Sequence, residues 1–201
     1  MKHLKRLGIG CLLATVALAI AGSASASAEQ STFCKVNETP CSSLNHYPSG
    51  TSFTLTAKGS LKWVSYLFGV EYRKFECVGG KFEGKTTTTG GSAQAVEVSF
   101  TSVVVGLCSS SVITLQVPKM KFNWTSGTMN ASVTTTGFSH QFGECKFLGE
   151  EIKEGTTLTG GSPAVLTFKE APMKAEGCGM SGKFSGEFEV LAPKPLYVSS
   201  S

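Results

Sequence analysis

The chain reads as an all-β protein, a sandwich or barrel of about a dozen short antiparallel strands built from an internal duplication and held by three disulfides. Three observations predict this. First, a Thr-Gly-Gly-Ser stretch occurs twice, at 89–92 and 159–162. A Thr-rich run precedes each copy, and a cysteine lies eighteen residues beyond its first glycine, Cys108 and then Cys178. Further upstream stand Cys77 and Cys145. The pattern is that of a strand, a Gly-Gly turn, a second strand and a closing disulfide. Second, apolar and polar residues alternate with period two through most of the chain, and no window beyond the N-terminus sustains a helical period. Third, glycine, threonine and valine are abundant, which suits strands and tight turns and disfavours helix.

The elements follow in order. Lys2, Lys5 and Arg6 precede a short apolar run, Leu12 to Ile20, and the small residues Ala26-Ser27-Ala28. Residues 1–28 are therefore expected to be a signal peptide, cleaved near Ala28. Cys11 lies inside the apolar run and leaves with it. Residues 29–50 carry Pro40, Pro48 and Gly50 and are expected to be irregular. From Thr51 the alternation begins. Phe53 and Leu55 share one face, Gly59-Ser60 reads as a turn, and Leu61, Trp63, Ser65 and Leu67 share the next face. Val96, Val98 and Phe100 point together, and Pro118 separates two further strands. The second unit opens near 119. Thr128 to Thr136 is extended, Gly137 breaks it, and Gly149 to Glu154 reads as an acidic loop. Ala164, Leu166 and Phe168 alternate, as do Phe184, Phe188 and Val190. The two units, about 51–118 and 119–193, are expected to form one fused β domain over 51–201, because neither could hide its apolar face alone.

Composition excludes several function classes. Removing the three basic signal residues leaves fifteen Lys and Arg against fourteen acids, so the basic character of the precursor resides in its leader. Nucleic acid is not an expected partner. All fourteen acids are Glu. Asp-based calcium loops, Ser-His-Asp triads and Asp-dependent phosphoryl transfer are excluded. No later stretch reaches the ~18 apolar residues of a spanning helix, so no transmembrane anchor is expected.

Six cysteines remain after cleavage, an even number for an oxidising compartment. Equivalent bonds in equivalent units pair Cys77 with Cys108 and Cys145 with Cys178, which leaves Cys34 with Cys41. No Cys-x-x-Cys occurs, and only His46 and His140 survive in the mature chain, so neither a metal nor another cofactor is expected.

The signal peptide, the Gly-Thr-Thr-Leu-Thr-Gly-Gly-Ser run at 155–162, the cysteine after it and the tail Pro193-Lys-Pro-Leu-Tyr-Val198 resemble a set of small, uncharacterised exported β-rich proteins of actinobacteria. The similarity is strongest from Cys145 onward. It implies a secreted bacterial β protein and carries over no catalytic residue.

Three function classes are compatible with these residues. A Glu-dependent hydrolase would draw on Glu187 and Glu189 or on Glu150, Glu151 and Glu154, but outward solvated charge explains these as well. A nucleophilic Ser would need a base, and neither His46 nor His140 has a recognisable context for one. A binding module for a small ligand or glycan would use an aromatic insertion. The first unit carries about nine more residues before its cysteine than the second, near Tyr66, Phe68 and Tyr72. A longer hairpin whose rings fill the core is the plainer account, and exposure decides between them. The favoured expectation is a non-catalytic, exported structural or interaction protein with an extracellular or cell-surface partner.

Overall fold

The computed structural model describes residues 31–91, 94–109, 113–142 and 144–201. The signal-peptide reading and Ser92 of the first Gly-Gly motif lie outside them. The described chain is nearly all strand. Its strands are β1 (Thr32–Cys34), β2 (Ser52–Ala57), β3 (Ser60–Leu67), β4 (Val70–Thr86), β5 (Val96–Cys108), β6 (Ile113–Gln116), β7 (Lys119–Trp124), β8 (Ala131–Phe142), β9 (Cys145–Ile152), β10 (Thr156–Thr159), β11 (Val165–Glu176), β12 (Ser181–Ala192) and β13 (Tyr197–Ser199).

Several of these are collinear. Both β2 and β3 lie antiparallel along β4, Ser52 to Thr56 against Lys85 to Lys81 and Ser60 to Leu67 against Val78 to Val70. Gly59-Ser60 is therefore a bulge in one long strand, not the reversal expected. Likewise β6 and β7 both run along β8, and β9 and β10 both lie between β8 and β11. The segment 149–154, expected as a loop, is strand as far as Ile152, and β8 continues through Gly137 at φ 72°. What remains is eight wall positions in chain order: β2–β3, β4, β5, β6–β7, β8, β9–β10, β11 and β12. Each pairs antiparallel with the next, and β12 pairs back onto β2 and β3. The ring closes, so the fold is an up-and-down barrel and not a sandwich.

Period-two alternation fills this barrel. Phe82 stands at its centre, with ring centroids 5.0 Å from Phe188, 5.7 Å from Phe100 and 5.9 Å from Phe138. Leu55, Met120, Val133, Leu166 and Val190 are also fully buried. The outer face carries Lys, Glu and Thr, including seven ion pairs among the described residues. An apolar interior inside a polar wall is the reverse of a membrane-spanning barrel. No described helix is long and apolar enough to cross a membrane.

Residues 31–50, within the segment expected to be irregular, and the C-terminal tail supply a cap. β1 and β13 pair with each other, and Phe33 enters the barrel mouth 5.1 Å from Phe122 and 5.7 Å from Phe53. The repeated glycines explain how the cap docks. Gly90 bridges Thr32, Gly91 N–H donates to the Ser31 carbonyl at 3.0 Å, and Gly161 exchanges two backbone bonds with Leu196. A Cβ on Gly90 would overlap the Ser31 carbonyl, and one on Gly160 the Met129 carbonyl. Each Gly-Gly turn thus receives one cap strand. Tyr47 ties the two ends together through its hydroxyl, which donates to the Pro195 carbonyl at 2.7 Å.

All three disulfides form as paired above, with Cα separations of 6.0 Å for Cys34–Cys41, 3.9 Å for Cys77–Cys108 and 5.5 Å for Cys145–Cys178. Cys77 and Cys108 are directly opposite on β4 and β5. In the first small loop, Glu38 accepts from the Ser42 N–H at 2.7 Å and from Asn45 Nδ2 at 2.8 Å. These bonds, Asn45 foremost, hold its carboxyl below the usual range.

Candidate functional site

The two halves of the barrel differ most in the hairpin beyond each long disulfide. In the first half Cys77 lies opposite Leu61, and the chain runs on to a turn at Phe68-Gly69 before returning. In the second half Cys145 already sits opposite Phe142 at the hairpin end. The extension is partly wall: Leu61, Trp63 and Phe75 are buried, and β3 pairs with β12 from Lys62 to Tyr66. The plainer account of a longer hairpin therefore holds for its base. Beyond Tyr66 the hairpin has no flanking strand among the described residues.

The tip closes through the pair Leu67–Val70 across Phe68 and Gly69, whose φ angles are 50° and 80°. A two-residue turn with both φ positive matches the twist of the strands but favours Asn or Gly at its first position. Phenylalanine there is conformationally costly, on the order of 1 kcal/mol. Its ring gains nothing in return from burial, since Phe68 is 94% exposed. Val70 is 70% exposed and Tyr72 53%.

Tyr66 and Tyr72 differ from Phe68 in having cationic neighbours. Tyr66 is half-buried on the wall, with Lys183 Nζ 5.6 Å from its ring centroid. Lys183 also donates to Glu170 Oε2 at 2.8 Å, which raises the ammonium's pKa and lowers the carboxyl's. Tyr72 takes the register shift opposite Ser65 and Tyr66, and the Arg73 guanidinium lies 5.3 Å from its ring centroid. Tyr66 and Tyr72 lie on the two strands that lead to the turn carrying Phe68. Sequence reasoning missed Val70, Arg73 and Lys183. The Phe-Gly dipeptide at a hairpin centre was the available signal for the tip; Lys183, on a distant strand, had none.

The groups weighed for catalysis occupy other places. His140 is fully buried, edge-on to Phe138 at 4.2 Å and to Trp63 at 5.3 Å, and burial pushes its pKa down to about 4. His46 meets the Cys41 carbonyl through Nε2 at 3.1 Å. Glu151 pairs with Lys153 at 3.0 Å and Glu189 with Lys194 at 4.0 Å, while Glu150, Glu154 and Glu187 are exposed. Glu38 lies beside Cys34 and Cys41, whose sulfurs are joined to each other and so do not offer thiolates to a metal.

No protein-family model, curated protein or solved structure matches the chain.

Proposed function

We propose that this is an exported, non-catalytic interaction protein, envelope-associated or extracellular, that engages its partner through the tip of the β3–β4 hairpin. One observation supports this above the rest: a phenylalanine placed at positive φ and left 94% exposed. A fold that needed only a turn would carry Asn or Gly there. Strained backbone and exposed aromatic surface at one position are the marks of a contact residue. Val70 and Tyr72 widen the apolar surface, and Arg73 and Lys183 set cations beside it. The tip stands at the barrel end opposite the β1–β13 cap, so a partner could reach it without disturbing the plug. The three disulfides suit an extracytoplasmic setting.

The test is retention of the purified, oxidised mature chain on isolated cell-envelope fractions, alongside a glycan panel. Wild type should be retained, and Phe68→Ala and Tyr66→Ala should each lower retention at least fivefold. Binding by wild type to panel glycans, lost in the same variants, would make the partner a saccharide. Equal retention of wild type and variants would remove the tip from the account.

A further inference from the structure

A second surface feature lies on the outer wall, where strand β12 passes between two bulges. On one side, two more residues separate Ala57 from Lys62 than separate the partners Ser185 and Phe188, and the surplus falls beyond Lys58, whose N–H donates to the Glu187 carbonyl at 2.8 Å. On the other side, the register of β11 shifts between Phe168 and Ala171, so Lys169 and Glu170 oppose β12 at Ser185. Glu170 there has φ 50°. Bulges re-aim side chains, and here both bring lysines to one place. Lys58, Lys62 and Lys169 line a shallow groove of about 420 Å³ together with the hydroxyls of Ser60, Thr167 and Ser185.

The charges around this groove are unevenly matched. Lys74, Lys81, Lys121, Lys146, Lys153, Lys183 and Lys194 each have a carboxylate partner. Lys58, Lys62 and Lys169 have no ion-pair partner among the described residues. Glu170, the nearest acid on the bulge, is drawn away by Lys183 at 2.8 Å. Glu187 also lines the groove, which leaves two net positive charges. The β11 bulge is held in place: Glu170 N–H donates to Ser185 Oγ at 3.0 Å, and Lys169 N–H to the Gly155 carbonyl at 2.6 Å. Ser185 Oγ accepts that bond and keeps its own proton to donate.

We propose that this groove binds a phosphate or sulfate oxyanion, free or carried on a saccharide. Three ammonium groups, two from the β2–β3 segment and one from β11, surround the charge, and hydroxyl donors complete its shell. The inference stands apart from the hairpin tip and does not depend on it. The test follows amide chemical shifts of the oxidised chain during titration with inorganic phosphate, inorganic sulfate and a sulfated oligosaccharide. Saturable shifts are expected at Lys169, Ser185 and Gly186. They should weaken at least tenfold in Lys58→Gln/Lys62→Gln/Lys169→Gln and be unchanged in Lys85→Gln/Lys119→Gln. Glu187→Gln should bind several-fold more tightly, an effect that general loss of structure cannot produce. Saturation by the inorganic ions alone would assign a free anion; tighter binding of the oligosaccharide would assign a saccharide-borne group. No saturable shift with any probe, or equal weakening in the Lys85/Lys119 control, would overturn the proposal.

Discussion

The two halves of the barrel share one plan and depart from it at one point. Each has four wall positions, a Gly-Gly turn that seats a cap strand, and a disulfide closing a similar stretch of chain, 31 residues in one and 33 in the other. Cys145 sits at the hairpin end, opposite Phe142, whereas Cys77 lies well down its hairpin, opposite Leu61. The shared parts are what closure demands: alternating apolar residues, bulges where a long strand must bend, glycines where backbones meet. The additional hairpin first completes the wall beside β12 and then overshoots it. Only the overshoot, from Leu67 to Val70, is not accounted for by packing. Where two halves share one plan, the part without a counterpart is where to seek a separate role.

The halves can be compared by breaking each staple. Because the loops are nearly equal, Cys77→Ser/Cys108→Ser and Cys145→Ser/Cys178→Ser should each destabilise the fold by about 3–4 kcal/mol in chemical denaturation. A difference of more than about 2 kcal/mol would show that the halves do not carry equivalent constraints. The glycines sharpen the same comparison. Gly90→Ala should cost about 3 kcal/mol, because its Cβ meets the Ser31 carbonyl at φ 76°. Gly91→Ala, with open space around the added methyl but φ 142°, should cost about 1 kcal/mol. Equal costs would mean that the first Gly-Gly turn does not seat the cap as described.

Much of this was legible beforehand. Inward faces such as Phe53/Leu55, Val96/Val98/Phe100 and Phe184/Phe188/Val190 follow from period two alone, and the cysteine pairing from the repeat. Barrel closure was not legible, because it depends on β12 reaching β2, and strands far apart in sequence leave no local trace of pairing. Gly59-Ser60 looked like a turn for a similar reason: a glycine marks a departure from regular strand geometry, and only the register along β4 distinguishes a bulge from a reversal. The 149–154 segment looked like a loop because two adjacent glutamates interrupt the alternation, yet Gly149 and Ile152 face inward and Glu150 and Glu151 take solvent. Of the tip, the three rings were visible in sequence, but their exposure was not. The lysine groove was invisible, since its residues come from three distant segments.

Acid tests the core end of the long hairpin, where Trp63 meets His140. The histidine is neutral in the fold with a pKa of about 4, against 6.5 when unfolded. Between those values the unfolded chain binds more protons, so the stability is present above pH 6.5 and lost as pH falls. From pH 7 to 4.5 the loss should be about 2–3 kcal/mol. Glu38, Glu76 and Glu170, whose carboxyls are held below 4.5 by their hydrogen bonds, lose their contributions only lower down. Denaturation at pH 7 and pH 4.5 for wild type and His140→Leu checks this; a variant that retains the full acid sensitivity would place its origin elsewhere.

The smallest effect is also the most direct. Phe68 sits at positive φ and packs almost nothing, so the fold should not miss it. Phe68→Asn supplies a residue that tolerates this conformation and should raise the melting temperature by about 1–3 °C, or leave it unchanged. A fall of several degrees would show that the ring supports the barrel, and would contradict the reading of the tip as a surface kept for a partner.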